Sequence, residues 1–121
     1  MKTLGWHALI ELSGCDAGRL GKVRGVRGAM LEAARLAGGT VVKSVFHAFS
    51  PWGVSGVVVI AESHLSVHTW PEHGYAAVDV FSCSPRLSAA AVRRHLREVF
   101  GARHASMTRL RRGPKPTASR G

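Results

Sequence analysis

The chain has 121 residues, 45% hydrophobic and 20% charged, with a formal net charge of +10. That length fits one domain with a modest core, small for a deep, enclosed active site unless copies associate. It contains no apolar run near the eighteen or so residues that span a bilayer. Its start lacks the basic, apolar and small-residue succession of a signal peptide, so the protein reads as cytoplasmic with no membrane partner. Cys15 and Cys83 lie in dissimilar contexts, offer no disulfide framework and read as free thiols.

Leu4 to Leu12 alternates as a first strand and stops at the turn signal Ser13-Gly14-Cys15-Asp16. Val26, Ala29, Met30, Ala33, Leu36 and Ala37 recur at helical spacing before Gly38-Gly39, which predicts an amphipathic helix. Thr40 to Phe49 predicts a strand, Pro51-Trp52-Gly53 a turn, and the continuous β-branched run Val54 to Ala61 a buried second arm of a hairpin. Leu65, Val67 and Thr69 alternate with Ser66, His68 and Trp70 in a further strand, and another runs from Tyr75 to about Cys83. Ser88 caps a second helix bearing Val92, Leu96, Val99 and Phe100, and a short last strand covers Arg103 to Leu110. This order predicts an α+β fold: a two-layer α/β sandwich with an antiparallel sheet covered on one face by two helices. The other face needs water or a partner. Residues 1–112 form one domain in this reading, and 113–121, nearly without apolar content, form a disordered basic tail.

The charge is uneven, with ten Lys/Arg from Arg86 onward against the single carboxylate Glu98. A basic surface attracts polyanions, but no basic stretch is interleaved with stacking aromatics. The excess reads as a solvated surface, with no nucleic-acid partner expected.

The chemistry concentrates after Ala61, in Glu62-Ser63-His64-Leu65-Ser66-Val67-His68-Thr69-Trp70-Pro71-Glu72-His73-Gly74-Tyr75, with Cys83 one strand further on. A serine hydroxyl can attack the preceding carbonyl, and with histidines and a thiol nearby a peptide bond can become a new electrophile. Taken alone, Glu62-Ser63-His64 is a polar turn, since short motifs recur by chance. His64, His68 and His73 suggest a metal, yet on a strand residues four apart are about 13 Å apart, too far to share an ion, so no metal is expected. The same rise puts Ser63 and His68 about 17 Å apart. Joint action would require the chain to fold back or a second subunit to supply His68. Read singly, Cys83 is a buried small hydrophobe, Phe49, Trp52 and Trp70 belong to core or interface, and Glu72 and Asp79 are surface acids.

Together, the segment from Phe46-His47-Ala48-Phe49-Ser50-Pro51-Trp52-Gly53 through Glu62-Ser63-His64 and Trp70-Pro71-Glu72 to Phe81-Ser82-Cys83 closely resembles the short prokaryotic S-adenosylmethionine decarboxylase proenzymes. The likeness extends to Leu4-Gly5 with His7, to Cys15-Asp16 and to Arg112-Gly113-Pro114. The resemblance implies that Ser63 attacks the Glu62 carbonyl, assisted by Ser55 and by His68 as the proton acceptor and donor of processing. A β chain of residues 1–62 and an α chain starting at residue 63 result, the latter headed by a pyruvoyl group made from Ser63. That cofactor would form a Schiff base with the substrate amine and accept the electrons released with carbon dioxide. The resemblance further implies Cys83 as proton donor in decarboxylation, and a substrate site where Phe49 stacks on adenine, Glu72 meets the ribose hydroxyls and Trp70 lies nearby. It implies a homodimer of αβ units, packed sheet to sheet, in which Ser63 and Cys83 of one subunit face Ser55 and His68 of the other.

Four positions depart from the family pattern: Trp6 replaces an arginine, Ala48 a lysine or arginine, and Ser82 and Ser84 turn Thr-Cys-Gly into Ser82-Cys83-Ser84. Phe49 and Glu72 favour S-adenosylmethionine as substrate and spermidine supply as the purpose. The alternatives are a pyruvoyl-dependent ornithine or arginine decarboxylase and a non-catalytic basic nucleic-acid-binding module.

Overall fold

Alternation along each strand decides which side is buried. In β1 (Thr3–Ser13), Trp6, Ala8, Ile10 and Leu12 turn inward, while His7, Leu9 and Glu11 turn to the opposite face. The same division runs through β3 (Val54–Ile60), β4 (Ser63–Trp70) and β5 (Tyr75–Ser82), whose inward residues include Val54, Val58, Leu65, Val67, Val78 and Val80. With β2 (Val41–Ala48) and β6 (His104–Pro114) they form one six-stranded antiparallel sheet, ordered β2-β3-β4-β5-β1-β6. This computed structural model describes residues 3–114.

Two helices cover the inward face. α2 (Val23–Leu36) lies against β2, β3 and β4, and α3 (Ala89–Val99) against β1 and β6. α2 buries Val26, Ala29, Met30, Ala33 and Ala34 and ends where Gly38, at φ 93°, reverses the chain. α3 starts at Ser88, whose hydroxyl accepts the Ala91 N–H at 3.1 Å. The predicted two-layer α+β sandwich is therefore the observed one. To it the structure adds a one-turn helix, α1 (Ala17–Leu20), capped by Asp16, and a 3-10 turn at Pro71–His73.

Several details differ from the sequence reading. The second arm of the β2–β3 hairpin is buried on one side only, because Val57 and Val59 project from the face that carries no helix. Leu36 is exposed: the last turn of α2 meets the polar flank of α3, near Arg94, His95 and Glu98, and Ala34 and Ala37 take the buried positions instead. Trp70, Phe49 and Trp52 are not core residues but stand exposed at one end of the sheet. β6 runs past Leu110 to Pro114, since it pairs with β1 from Ser13↔His104 to Thr3↔Pro114. Gly113 and Pro114 thus belong to the sheet, and the rest of the tail called disordered from sequence lies outside the described residues. No helix among the described residues is long and apolar enough to cross a membrane.

One buried hydroxyl ties the layers together beside the exposed aromatic residues. Thr69 accepts the Val54 N–H at 2.9 Å and donates to the Leu20 carbonyl at 2.9 Å, so it joins the start of β3 to the end of α1. Thr69→Val keeps the shape but strands a buried donor and a buried acceptor. We expect a loss of about 1–3 kcal/mol, read as a lower urea midpoint with an unchanged slope.

Candidate active site

The Glu62-Ser63 bond leaves a two-residue hairpin loop, Ala61-Glu62, closed by the pair Ile60↔Ser63. Such loops match the twist of their strands by adopting positive φ, normally on glycine or asparagine. Ala61 and Glu62 do not take it up, and Ser63, at φ 152°, is the one non-glycine residue with positive φ among the described residues. The strain therefore sits on the residue whose hydroxyl adjoins the bond, at a cost of order 1–3 kcal/mol.

The loop is clamped from both sides. The Thr40 N–H donates to the Glu62 carboxylate at 3.2 Å, and the Ala61 N–H to the Thr40 carbonyl at 2.8 Å. On the β5 side, where Ser63 pairs with Ser82, the Glu62 carbonyl oxygen accepts from Ser82 Oγ at 3.1 Å and from the Cys83 N–H at 3.5 Å. Cys83 Sγ lies 3.8 Å from the same oxygen. Cys83 sits just past β5 as an exposed free thiol and not as a buried hydrophobe. The departure at residue 6 contributes here: Trp6 Nε1 donates to the Ser84 carbonyl at 2.9 Å, and the Arg109 guanidinium stacks 4.4 Å from the indole centroid.

A second group gathers at the opposite end of β3 and β4. Ser55 and His68 face each other across the ladder, and Ser55 Oγ shares a 2.7 Å hydrogen bond with His68 Nδ1. Together with Phe49, Trp52, Trp70 and Glu72 they line an open pocket of about 260 Å³. A larger cavity of about 430 Å³ lies on the other side of Trp52 and Glu72, toward α1, and takes in only Glu72 among the predicted site residues. Ala48 is exposed on β2, opposite Val54.

Trp70 is held by Tyr75, with ring centroids 5.3 Å apart, and the Tyr75 hydroxyl donates to the Glu11 carboxylate. That hydrogen bond, reinforced by partial burial and the charges of Glu11 and Asp79, pushes the phenol up to about 12. Elsewhere, burial raises the Cys15 thiol pKa. Among the described residues no cluster of three metal-ligating side chains is assembled.

The predicted residues thus fall into two sets, Glu62, Ser63 and Cys83 at one end of β4 and Phe49, Ser55, His68, Trp70 and Glu72 at the other. Ser82, Thr69 and the Glu11–Tyr75 pair were missed from sequence. The signal for the first two was a hydroxyl at an inward position of an otherwise apolar alternation.

A sequence profile of the family described as S-adenosylmethionine decarboxylase matches residues 6–113. This chain belongs to that family. The S-adenosylmethionine decarboxylase proenzyme of Acidithiobacillus ferrooxidans is 49% identical over 113 residues, covering 93% of this chain and 85% of that protein. The proenzyme of the same name from Pelotomaculum thermopropionicum is 50% identical over 116 residues, 96% of this chain and 92% of its own. The crystal structure of the adenosylmethionine decarboxylase from Aquifex aeolicus superposes with a TM-score of 0.85 at 36% identity, over 96% of each chain. The order of strands and helices around Ser63 is therefore a decarboxylase fold.

Two measurements check the local physics. Ser63→Gly should melt a few degrees higher than Ser63→Ala because glycine takes up the positive φ without strain, worth about 1 kcal/mol. Equal melting would show that strain at residue 63 does not exceed the entropy that glycine adds to the unfolded chain. Tyr75 is the single tyrosine, so absorbance at alkaline pH should report its ionisation near pH 12 in the folded protein and at a lower pH after Glu11→Gln, which removes the largest cause of the rise but leaves burial and Asp79 in place. Because the folded value is raised, this contact stabilises the protein fully below pH 10 and is lost as pH climbs toward 12.

Proposed function

We propose that this decarboxylase makes its own pyruvoyl group at residue 63 and releases carbon dioxide from S-adenosylmethionine, leaving the decarboxylated aminopropyl donor for spermidine synthesis. The observation that carries the reading is the strained Ser63 next to a carbonyl that already accepts hydrogen bonds from Ser82 and Cys83. The names and identity of the relatives disfavour ornithine or arginine as substrate and a purely nucleic-acid-binding role.

Processing follows from these residues. Ser63 Oγ bonds to the Glu62 carbonyl carbon as its proton passes to a base, and the C–N bond then breaks with the nitrogen taking up a proton. Glu62 is now esterified to Oγ. Removal of the Ser63 α-proton breaks the Cβ–Oγ bond, and Glu62 departs as the carboxylate ending chain 1–62. The dehydroalanine left behind tautomerises to an imine, and water replaces its nitrogen, released as ammonia, to leave a ketone. The residues fit that group, since Cys83 places a thiol 3.8 Å from the carbonyl oxygen of residue 62, beside the position the ketone would take. The pyruvoyl ketone supplies capture of the substrate amine and an acceptor for the electrons freed with carbon dioxide. Cys83 Sγ would return a proton to the substrate carbon. Phe49 and Trp70 offer exposed ring faces for the adenine, and Glu72 a carboxylate for the ribose hydroxyls.

The base for processing is assigned to His68, oriented by Ser55, of a second subunit. Within one chain Ser63 and His68 occupy the two ends of β4, about 17 Å apart by strand rise. Packing the two helix-free faces together in an antiparallel sense would bring each Ser63 end against the other chain's His68 end. Exposed Val45, Val57, Val59 and Leu110 on that face favour its burial. A homodimer of αβ units with two shared sites follows.

Mixing decides both parts. Denaturing mass spectrometry of the wild-type chain should find two fragments divided before residue 63, with a ketone on the second. Ser63→Ala and His68→Ala chains should each stay intact alone. When the two are coexpressed, the His68→Ala chain should be cut, using the histidine of its partner, and carbon dioxide release from labelled S-adenosylmethionine should reappear at about one site per heterodimer. Cleavage of His68→Ala alone would remove His68 from its role, and an intact wild-type chain would sink the self-processing reading.

A further inference from the structure

The hydroxyl of Ser82 has no assigned task, yet it is the shortest contact of the oxygen on which charge must build. We propose that Ser82 Oγ–H is the donor that polarises the Glu62 carbonyl for attack by Ser63 and holds the oxyanion that forms, an inference resting on the self-processing reading above. Ser82 is completely buried, at 0% exposure, so no bulk water competes for it. A serine hydroxyl has one proton and two lone pairs. The Ser84 N–H occupies a lone pair at 2.9 Å, and Glu62 O lies 3.1 Å away on the donating side. Ser82 has therefore one outlet for its proton, the carbonyl of the bond to be broken.

The donor is also held rigidly. Ser82 is flanked by two paired strands, Ser63 of β4 on one side and Trp6 of β1 on the other. The residue that orients its lone pair, Ser84, is pinned through its own carbonyl by the Trp6 indole. The Cys83 N–H at 3.5 Å and Sγ at 3.8 Å approach the same oxygen from further away. The N–H can close in as the oxygen moves out of the peptide plane. As the Ser63 Oγ–C bond forms, the carbonyl π electrons move onto Glu62 O, and they return when the C–N bond breaks. Ser82 transfers no proton in this step. It contributes because its hydrogen bond strengthens as the oxygen becomes anionic, at no cost in reorganisation.

Cell-free synthesis starts the clock on an uncut chain, and denaturing gels follow conversion of the 121-residue chain to its two fragments. Ser82→Ala should slow cleavage by about a hundredfold, the loss typical of one oxyanion donor. Ser82→Thr, which restores a hydroxyl at the same carbon, should cleave near the wild-type rate. A purely packing role predicts another pattern, with threonine as damaging as alanine. That result, or an alanine chain cut at the wild-type rate, overturns the assignment. Melting of the doubly substituted Ser63→Ala, Ser82→Ala chain verifies folding. Should it fail to fold, Ser82→Cys carries the test: its weak S–H donor should cut slowly, and wild-type speed would refute the proposal. A wild-type chain that never cleaves refutes self-processing itself, an outcome distinct from all of these.

Discussion

A two-residue loop between antiparallel strands usually takes up positive φ, and in this chain the positive φ falls just after the loop, on Ser63. Glycine or asparagine in the loop would absorb it harmlessly. Ala61 and Glu62 do not, so the turn pushes its strain one residue on, into the start of β4. The loop cannot relax because Thr40 grips it through both Ala61 and Glu62, and because the neighbouring strand is already in register with Ser63. What surrounds the site follows from that register. Pairing Ser63 with Ser82 sets the end of β5, and the residues just beyond it, against the Glu62 carbonyl.

The second consequence of building the site on a strand is separation. A helix would advance only about 7.5 Å over five residues, whereas β4 carries Ser63 and His68 to opposite ends of the sheet. Each chain therefore presents one end with Glu62, Ser63 and Cys83 and another with an aromatic, acidic pocket. The face between them bears no helix and mixes apolar side chains with the Ser66–Asp79 and Glu11–Tyr75 hydrogen bonds. That composition suits association of two sheets better than a long-lived contact with water alone.

Between the two ends, the supporting contacts share a pattern: each fixes a residue next to the chemistry from a strand or helix distant in sequence. Trp6 reaches Ser84, Glu11 reaches Tyr75, and Thr69 reaches Leu20. The basic excess of the C-terminal third takes little part in this. Arg93, Arg94 and Arg97 line an open depression on α3, away from both sets of site residues, and Arg109 serves mainly to cover the Trp6 ring.

Much of the architecture was legible before any coordinates, because it depends on local periodicity. The alternation of Leu65, Val67 and Thr69, the helical spacing from Val26 to Ala33, the Ser88 cap and the Gly38-Gly39 stop each reflect forces acting within a few residues. The run from Phe46 to Cys83 was specific enough to identify the family. Composition could not show that Val57 and Val59 face outward, since a β-branched run looks the same in a strand buried on one side or on both. Nor could it give the full length of β6, which is measured against β1 a hundred residues earlier. The sequence by itself determined which residues could react. Only the tertiary structure decided that Ser63 would carry the positive φ, that Ser82 would aim its single proton at Glu62, and that His68 would lie out of reach within its own chain. Those are distances and angles between segments remote in sequence, and strand pairing sets them where local preference cannot.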